Sequence, residues 1–124
     1  MISSPTYQPQ DRYRILYAGV SHTLLKSLRQ NLGPKGCEVV RCPDGWQARL
    51  FVQSKIHYDL LLFDDELSGL SCADLCSLAA LLSHRQDTPV LIHIGEGLQK
   101  RPTRLTEWEL VSKIMSLLGL PFED

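Results

Sequence analysis

Four short apolar runs alternate along this chain with segments whose apolar residues recur at helical spacing. The runs are "RILYAGV" (14–20), "CEVVRC" (37–42), the stretch from Asp59 to Phe63, and "TPVLIHI" (88–94). Each is too short for a helix and rich in residues that favour strands. Helical spacing falls between them: Leu24, Leu25, Leu28 and Leu32; then Ala48, Phe51 and Val52; then Leu75, Leu78, Ala79 and Leu82. Leu110, Val111, Ile114, Leu117 and Leu118 define a last helix, with Thr106 as its expected cap. Ser21 and Asp44 stand where caps for the first two helices belong, and "GPKG" (33–36) stops the first. The order is β-α-β-α-β-α-β-loop-α, which predicts an α/β, doubly wound parallel sheet of four main strands with helices on both faces.

A chain of 124 residues is one domain. The reading assigns 1–13 to a flexible leader, 14–120 to the domain and 121–124 to a tail. A formal net charge of −1 does not suggest a nucleic-acid binder, which needs a basic face. The longest apolar runs fall far short of the roughly 20 residues of a membrane span, and "MISSPTYQPQDR" lacks the apolar core of a signal peptide. A cytoplasmic protein is expected. Cys37, Cys42, Cys72 and Cys76 do not have the spacing of a zinc knuckle and read as reduced, partly buried thiols. His22, His57 and His84 form no spaced ligand set, while His93, inside an apolar strand, reads as a hydrogen-bonded core or sheet-end residue.

Chemistry concentrates in "YDLLLFDDELSG" (58–69). Leu60 to Phe63 run straight into Asp64, Asp65 and Glu66. In doubly wound sheets ligands bind beyond the carboxyl ends of the strands, at the point where strand order reverses. The three acids stand at such an end.

These residues resemble the receiver domain of two-component response regulators, a flavodoxin-like fold. "YDLLLFDDELSGLSCADLC" is similar to that family's third strand and following loop, with Asp64 at the phosphoacceptor position and Gly69 at the loop glycine. "RCPDGWQA" resembles the family's Ala-x-Asp-Gly-x-x-Ala through Asp44, Gly45 and Ala48, and "TPVLIHI" its Thr-Pro-Val strand. The likeness spans about residues 14 to 94, and the last helix loosely. The resemblance implies a signalling role, a histidine kinase or other signalling protein as partner, and Mg²⁺ as the family's metal.

The chain departs from that pattern where the chemistry lies. Gly19 and Val20 occupy the positions of the acid pair that holds Mg²⁺ in the family. A hard cation needs carboxylates to neutralise the incoming phosphoryl charge, and only Asp64, Asp65 and Glu66 remain to offer them. No dedicated metal site or cofactor is expected. The family's hydroxyl residue at the end of the fourth strand falls on Ile94, and its lysine on Arg101, before Pro102. Only six residues separate Ile94 from Arg101, where the family places its fourth helix and fifth strand.

The expectation is a degenerate, shortened pseudo-receiver, not an enzyme, acting by protein–protein contact. Two rival readings are a phosphate-accepting regulator using Asp64 with Mg²⁺, and a small flavodoxin-like module for a nucleotide or flavin. In the pseudo-receiver Asp64 is solvated or paired with Lys100 or Arg101. Asp64→Asn is then nearly neutral or mildly stabilising unless Asp64 pairs with a base, and Gly19→Asp with Val20→Asp restores metal binding if the local geometry survives. The fourth strand carries Ile92 and Ile94 on an edge without lysine, which predicts a homodimer through that edge. A stub fifth strand within 95–103 is the monomeric alternative.

Overall fold

The computed structural model describes residues 13–94 and 107–120. Within them the order is β1 (Tyr13–Ala18), α1 (His22–Leu32), β2 (Cys37–Cys42), α2 (Gly45–Gln53), β3 (Leu60–Asp64), α3 (Cys72–Leu81), β4 (Val90–His93) and α4 (Glu107–Leu118). All pairings are parallel, and the strand order is β2-β1-β3-β4. The doubly wound α/β architecture is as the alternation predicts, and order reverses between β1 and β3.

Strand boundaries differ in detail. β1 begins at Tyr13, one residue inside the segment assigned to the leader, because Tyr13 pairs with Cys37 and its N–H donates to the Gly36 carbonyl. β3 starts at Leu60, and Asp59 serves as a bracket instead. Its carboxylate accepts from the Arg14 N–H at 2.7 Å while its own N–H donates to the Arg14 carbonyl.

Helix ends follow elementary capping chemistry, each side-chain cap contributing about 1 kcal/mol. Ser21 Oγ accepts from the Leu24 N–H, Asp44 Oδ1 from Gln47, and Ser71 Oγ from Asp74. After Leu32 a 3-10 turn over Gly33–Lys35 ends at Gly36, whose φ of 90° is open to glycine and costly for other residues.

Alternation along the strands sorts side chains into two cores. Ile15, Tyr17, Val39, Leu60 and Leu62 face α1 and α4, packing with Leu24, Leu28, Val111 and Ile114. Leu16, Ala18, Cys42, Leu61 and Phe63 face α2 and α3, with Ala48, Val52, Leu75 and Ala79. Leu117, predicted to face inward, is exposed: it lies past the inward stripe of Leu110, Val111, Ile114 and Met115. Arg85 is buried with no acid paired to it among the described residues. Its guanidinium donates to the carbonyls of Val52, Phe51 and Ser54, closing the carboxyl end of α2, and lies 5.1 Å from the Tyr58 ring centre.

The expected leader residues 1–12, the Thr106 cap, the 95–103 stub strand and the tail lie outside the described residues. No described helix is long and apolar enough to cross a membrane.

Candidate functional site

Asp64 is the last residue of β3 and pairs in register with His93, the last residue of β4. Register partners in a parallel sheet point to the same face, so both side chains lie on the α1/α4 side. Tyr17, on the neighbouring strand, lies on that side too. Three adjacent strands thereby deliver a phenol, a carboxylate and an imidazole to one point.

The hydrogen bonds are closed and directional. The Tyr17 hydroxyl lies 3.1 Å from Asp64 Oδ1 and 3.0 Å from Oδ2. The same oxygen accepts from the Ser21 N–H at 3.2 Å, so its proton is directed at the carboxylate. The Val20 N–H donates to Oδ2 at 3.3 Å, and His93 Nδ1 lies 3.0 Å from Oδ1. Asp64 is thus ringed by donors, as an ionised carboxylate requires, and is 8% exposed. Burial, and next the Asp64 charge, push the Tyr17 phenol far above its ordinary value, so it stays protonated.

Asp64 is therefore not the solvated acid expected of a degenerate site. Among the described residues its ion-pair partner is His93. Lys100 and Arg101, the expected pairing partners, lie outside the described residues.

Gly19 allows this packing. A Cβ there would come 2.2 Å from Asp64 Oδ2 and 2.5 Å from the Tyr17 hydroxyl. The loop is pinned from both ends, by the Gly19 N–H to the Cys42 carbonyl and Arg41 Nε to the Gly19 carbonyl. A restored acid at Gly19 would have to displace Asp64 and Tyr17, so the intact local geometry on which Gly19→Asp with Val20→Asp was expected to rebuild a metal site is not available here.

The residues present do not fit Mg²⁺. Gly19 and Val20 bring no carboxylate, and both Asp64 oxygens are already taken by donors. Asp65 is half-buried, its N–H on the His93 carbonyl, and Glu66 is exposed. Among the described residues no group of three or more acids, histidines or cysteines could hold a metal ion.

The loop behind β3 packs on the start of α2. The Gly45 N–H donates to the Ser68 carbonyl, and a Cβ on Gly45 would meet the Leu70 carbonyl oxygen at 1.9 Å. Gly69 has φ 81° and lies against Trp46, where a Cβ would come within 2.4 Å. Both glycines named from the motifs thus have steric reasons. Of the other histidines, His57 pairs with Asp59 and His84 with the Ser54 carbonyl, both away from Asp64. The four cysteines form no disulfide; three are buried and Cys76 is half-buried. Ile94 follows β4, exposed and without a hydroxyl.

Tyr17 was not singled out from the sequence, although a signal was present. A residue with a polar tip inside an aliphatic strand needs a hydrogen-bond partner, and strand parity puts it on the face of Asp64.

No protein-family model matches the chain, and no curated protein matches it. Solved structures do. The chemotaxis response regulator CheY4 of Vibrio cholerae superposes with a TM-score of 0.69 at 16% identity, over 85% of this chain and 98% of that one. The receiver domain of sensor histidine kinase PA1611 from Pseudomonas aeruginosa, which has a magnesium ion coordinated in its active-site cleft, gives 0.69 at 18%, over 86% and 98%. A response regulator protein from Burkholderia multivorans gives 0.63 at 24%, over 90% and 98%. The chain has the fold of response regulator receiver domains.

Proposed function

We propose that this receiver-fold chain is a pseudo-receiver: a signalling protein of a two-component phosphorelay that acts by protein–protein contact and does not accept a phosphoryl group on Asp64. One observation carries the reading. The carboxylate that would attack phosphorus is held by the Tyr17 hydroxyl, the Val20 N–H and His93 Nδ1, in a space that Gly19 keeps too small for a metal-binding side chain. A nucleophile with both oxygens bonded and buried must break those bonds before reacting, and without the acid pair no cation would repay that cost.

The reading assigns no catalytic residue and no cofactor. It takes a histidine kinase or another signalling protein as partner, in the cytoplasm, with no nucleic-acid or membrane role. It also includes self-association. Among the described residues β4 bonds to β3 alone, and its Ile92 and Ile94 are 47% and 39% exposed. Pairing β4 with the same strand of a second copy about a two-fold axis would satisfy its outward backbone groups and bury both isoleucines.

The test is incubation with acetyl phosphate and Mg²⁺, followed by intact mass before and after hydroxylamine. The expected result is no hydroxylamine-labile adduct. An acyl phosphate located on Asp64 would overturn the reading.

A further inference from the structure

Cys72 and Cys76 stand one helical turn apart at the start of α3. Four-residue spacing puts both on the side that packs against the α2/α3 core. The Cys72 thiol is buried and shares a hydrogen bond with the Cys76 thiol, which is half-buried. The other two cysteines are not so placed. Cys37 and Cys42 point to opposite faces of β2 and belong to different cores.

The surroundings decide what such a pair can become. Burial, then Cys76, then Asp65 and Asp64 all disfavour a thiolate at Cys72. A metal ion would need both thiolates beside those acids, whereas a disulfide carries no charge. We propose that Cys72 and Cys76 form a reversible dithiol–disulfide site, oxidised by a small disulfide donor, and that closing the bond loosens the first turn of α3. Cys76, the less buried sulfur, gives up its proton and attacks the donor's S–S bond. One donor sulfur leaves with the bonding pair and takes up a proton. Cys72 then gives up its proton and attacks the Cys76 sulfur of the mixed disulfide, and the second donor sulfur leaves in the same way. Two protein thiols and one donor disulfide thus become one protein disulfide and two donor thiols.

The loosening follows from helix geometry. Cβ atoms four residues apart on a helix are about 5–6 Å from each other, and a disulfide holds them at about 3.5–4.5 Å. The backbone has to give, and the start of α3 is where it can. Cys72 is the first helical residue, and the turn is held by Ser71, whose Oγ accepts from the Asp74 N–H at 3.1 Å and whose carbonyl accepts from the Leu75 N–H at 3.0 Å. A strained bond is easily reduced, so in a reducing compartment it is transient. The loop that ends at Ser71 begins at Asp65, so the displaced turn adjoins the end of β3. This inference does not depend on what Asp64 does.

The experiment equilibrates the reduced full chain with oxidised glutathione, unfolds it in N-ethylmaleimide and reads intact mass. The expected product takes up two fewer maleimide groups, and dithiothreitol reverses the change. Peptide fragmentation of the unaltered protein places the bond between Cys72 and Cys76. Cys72→Ser stops at a glutathione adduct on Cys76, and Cys37→Ser with Cys42→Ser leaves closure unchanged; melting curves confirm that each variant folds. Amide exchange at Asp74 and Leu75 should be about fivefold faster or more in the oxidised chain, as loss of a helix cap allows. No bond in the unaltered chain, a bond between other cysteines, or an adduct on Cys76 that never closes overturns the site. Unchanged exchange at both amides in the oxidised chain overturns the loosening of α3.

Discussion

The Tyr17 hydroxyl bridges both oxygens of Asp64, at 3.1 and 3.0 Å, while receiving the Ser21 N–H. A phenol from β1 thus fills the space beside a β3 carboxylate and ties the end of β1 to the first turn of α1. Tyr17→Phe keeps the ring and removes the oxygen, leaving a buried carboxylate short of a donor and the Ser21 N–H short of an acceptor. The expected loss is about 2 kcal/mol, read by urea denaturation at pH 7. An unchanged midpoint would show that water replaces the hydroxyl.

Asp64→Asn should also destabilise, against the near-neutral outcome expected from the sequence. That expectation rested on relief of repulsion between acids, whereas Asp64 here has donors around it. Asparagine turns one acceptor into an NH₂ group that must face Tyr17 and either Val20 or His93. A loss of about 1–3 kcal/mol is expected, and a gain in melting temperature would contradict the described network.

Gly19→Ala places a methyl group where the Asp64 carboxylate and Tyr17 hydroxyl now sit. The cost should be about 1–3 kcal/mol and should shrink in the Asp64→Ala background, where room is available. This non-additivity is the signature of direct contact. Gly19→Asp with Val20→Asp should fail to produce Mg²⁺ binding tighter than about millimolar by calorimetry.

Alkali should unfold the protein through its buried thiols. Burial, and next the Asp44 charge, push Cys42 from 9.0 up to about 12; burial, and next Cys76, push Cys72 to about 12. The native state keeps these protons at pH values where the unfolded chain has released them. Their contribution is thus fully present below pH 9 and is lost as pH rises from 9 towards 12. The slope is about 1.4 kcal/mol per pH unit for each thiol. Denaturation at pH 8 and pH 10 should show the drop, and Cys42→Ala with Cys72→Ala should flatten it.

Light scattering over a range of concentrations tests the β4 contact. The wild-type chain should form a dimer and Ile92→Lys a monomer, since a charge on that strand blocks edge pairing. A monomer at high micromolar concentration that Ile92→Lys leaves unchanged would remove self-association from the proposal.

The sequence by itself determined the architecture. Short apolar runs alternating with helical periods have few ways to bury their surfaces other than a parallel sheet between two layers of helices. Ser21 and Asp44 mark helix starts, and Gly36 and Gly69 turn the chain, because caps and left-handed turns are local chemistry readable over a few residues. The location of the candidate site at the end of β3 followed from the same pattern. What the acid does there was decided only by tertiary structure. Tyr17, Asp64 and His93 are separated by 47 and 29 residues, and no local preference links them. Their meeting depends on strand order, on register and on the missing Cβ of Gly19. The same holds for Arg85, whose buried guanidinium reaches the end of a helix more than thirty residues earlier. A hydrogen bond between distant residues is set by where two strands or helices come to lie side by side, and that position is a property of the packed whole.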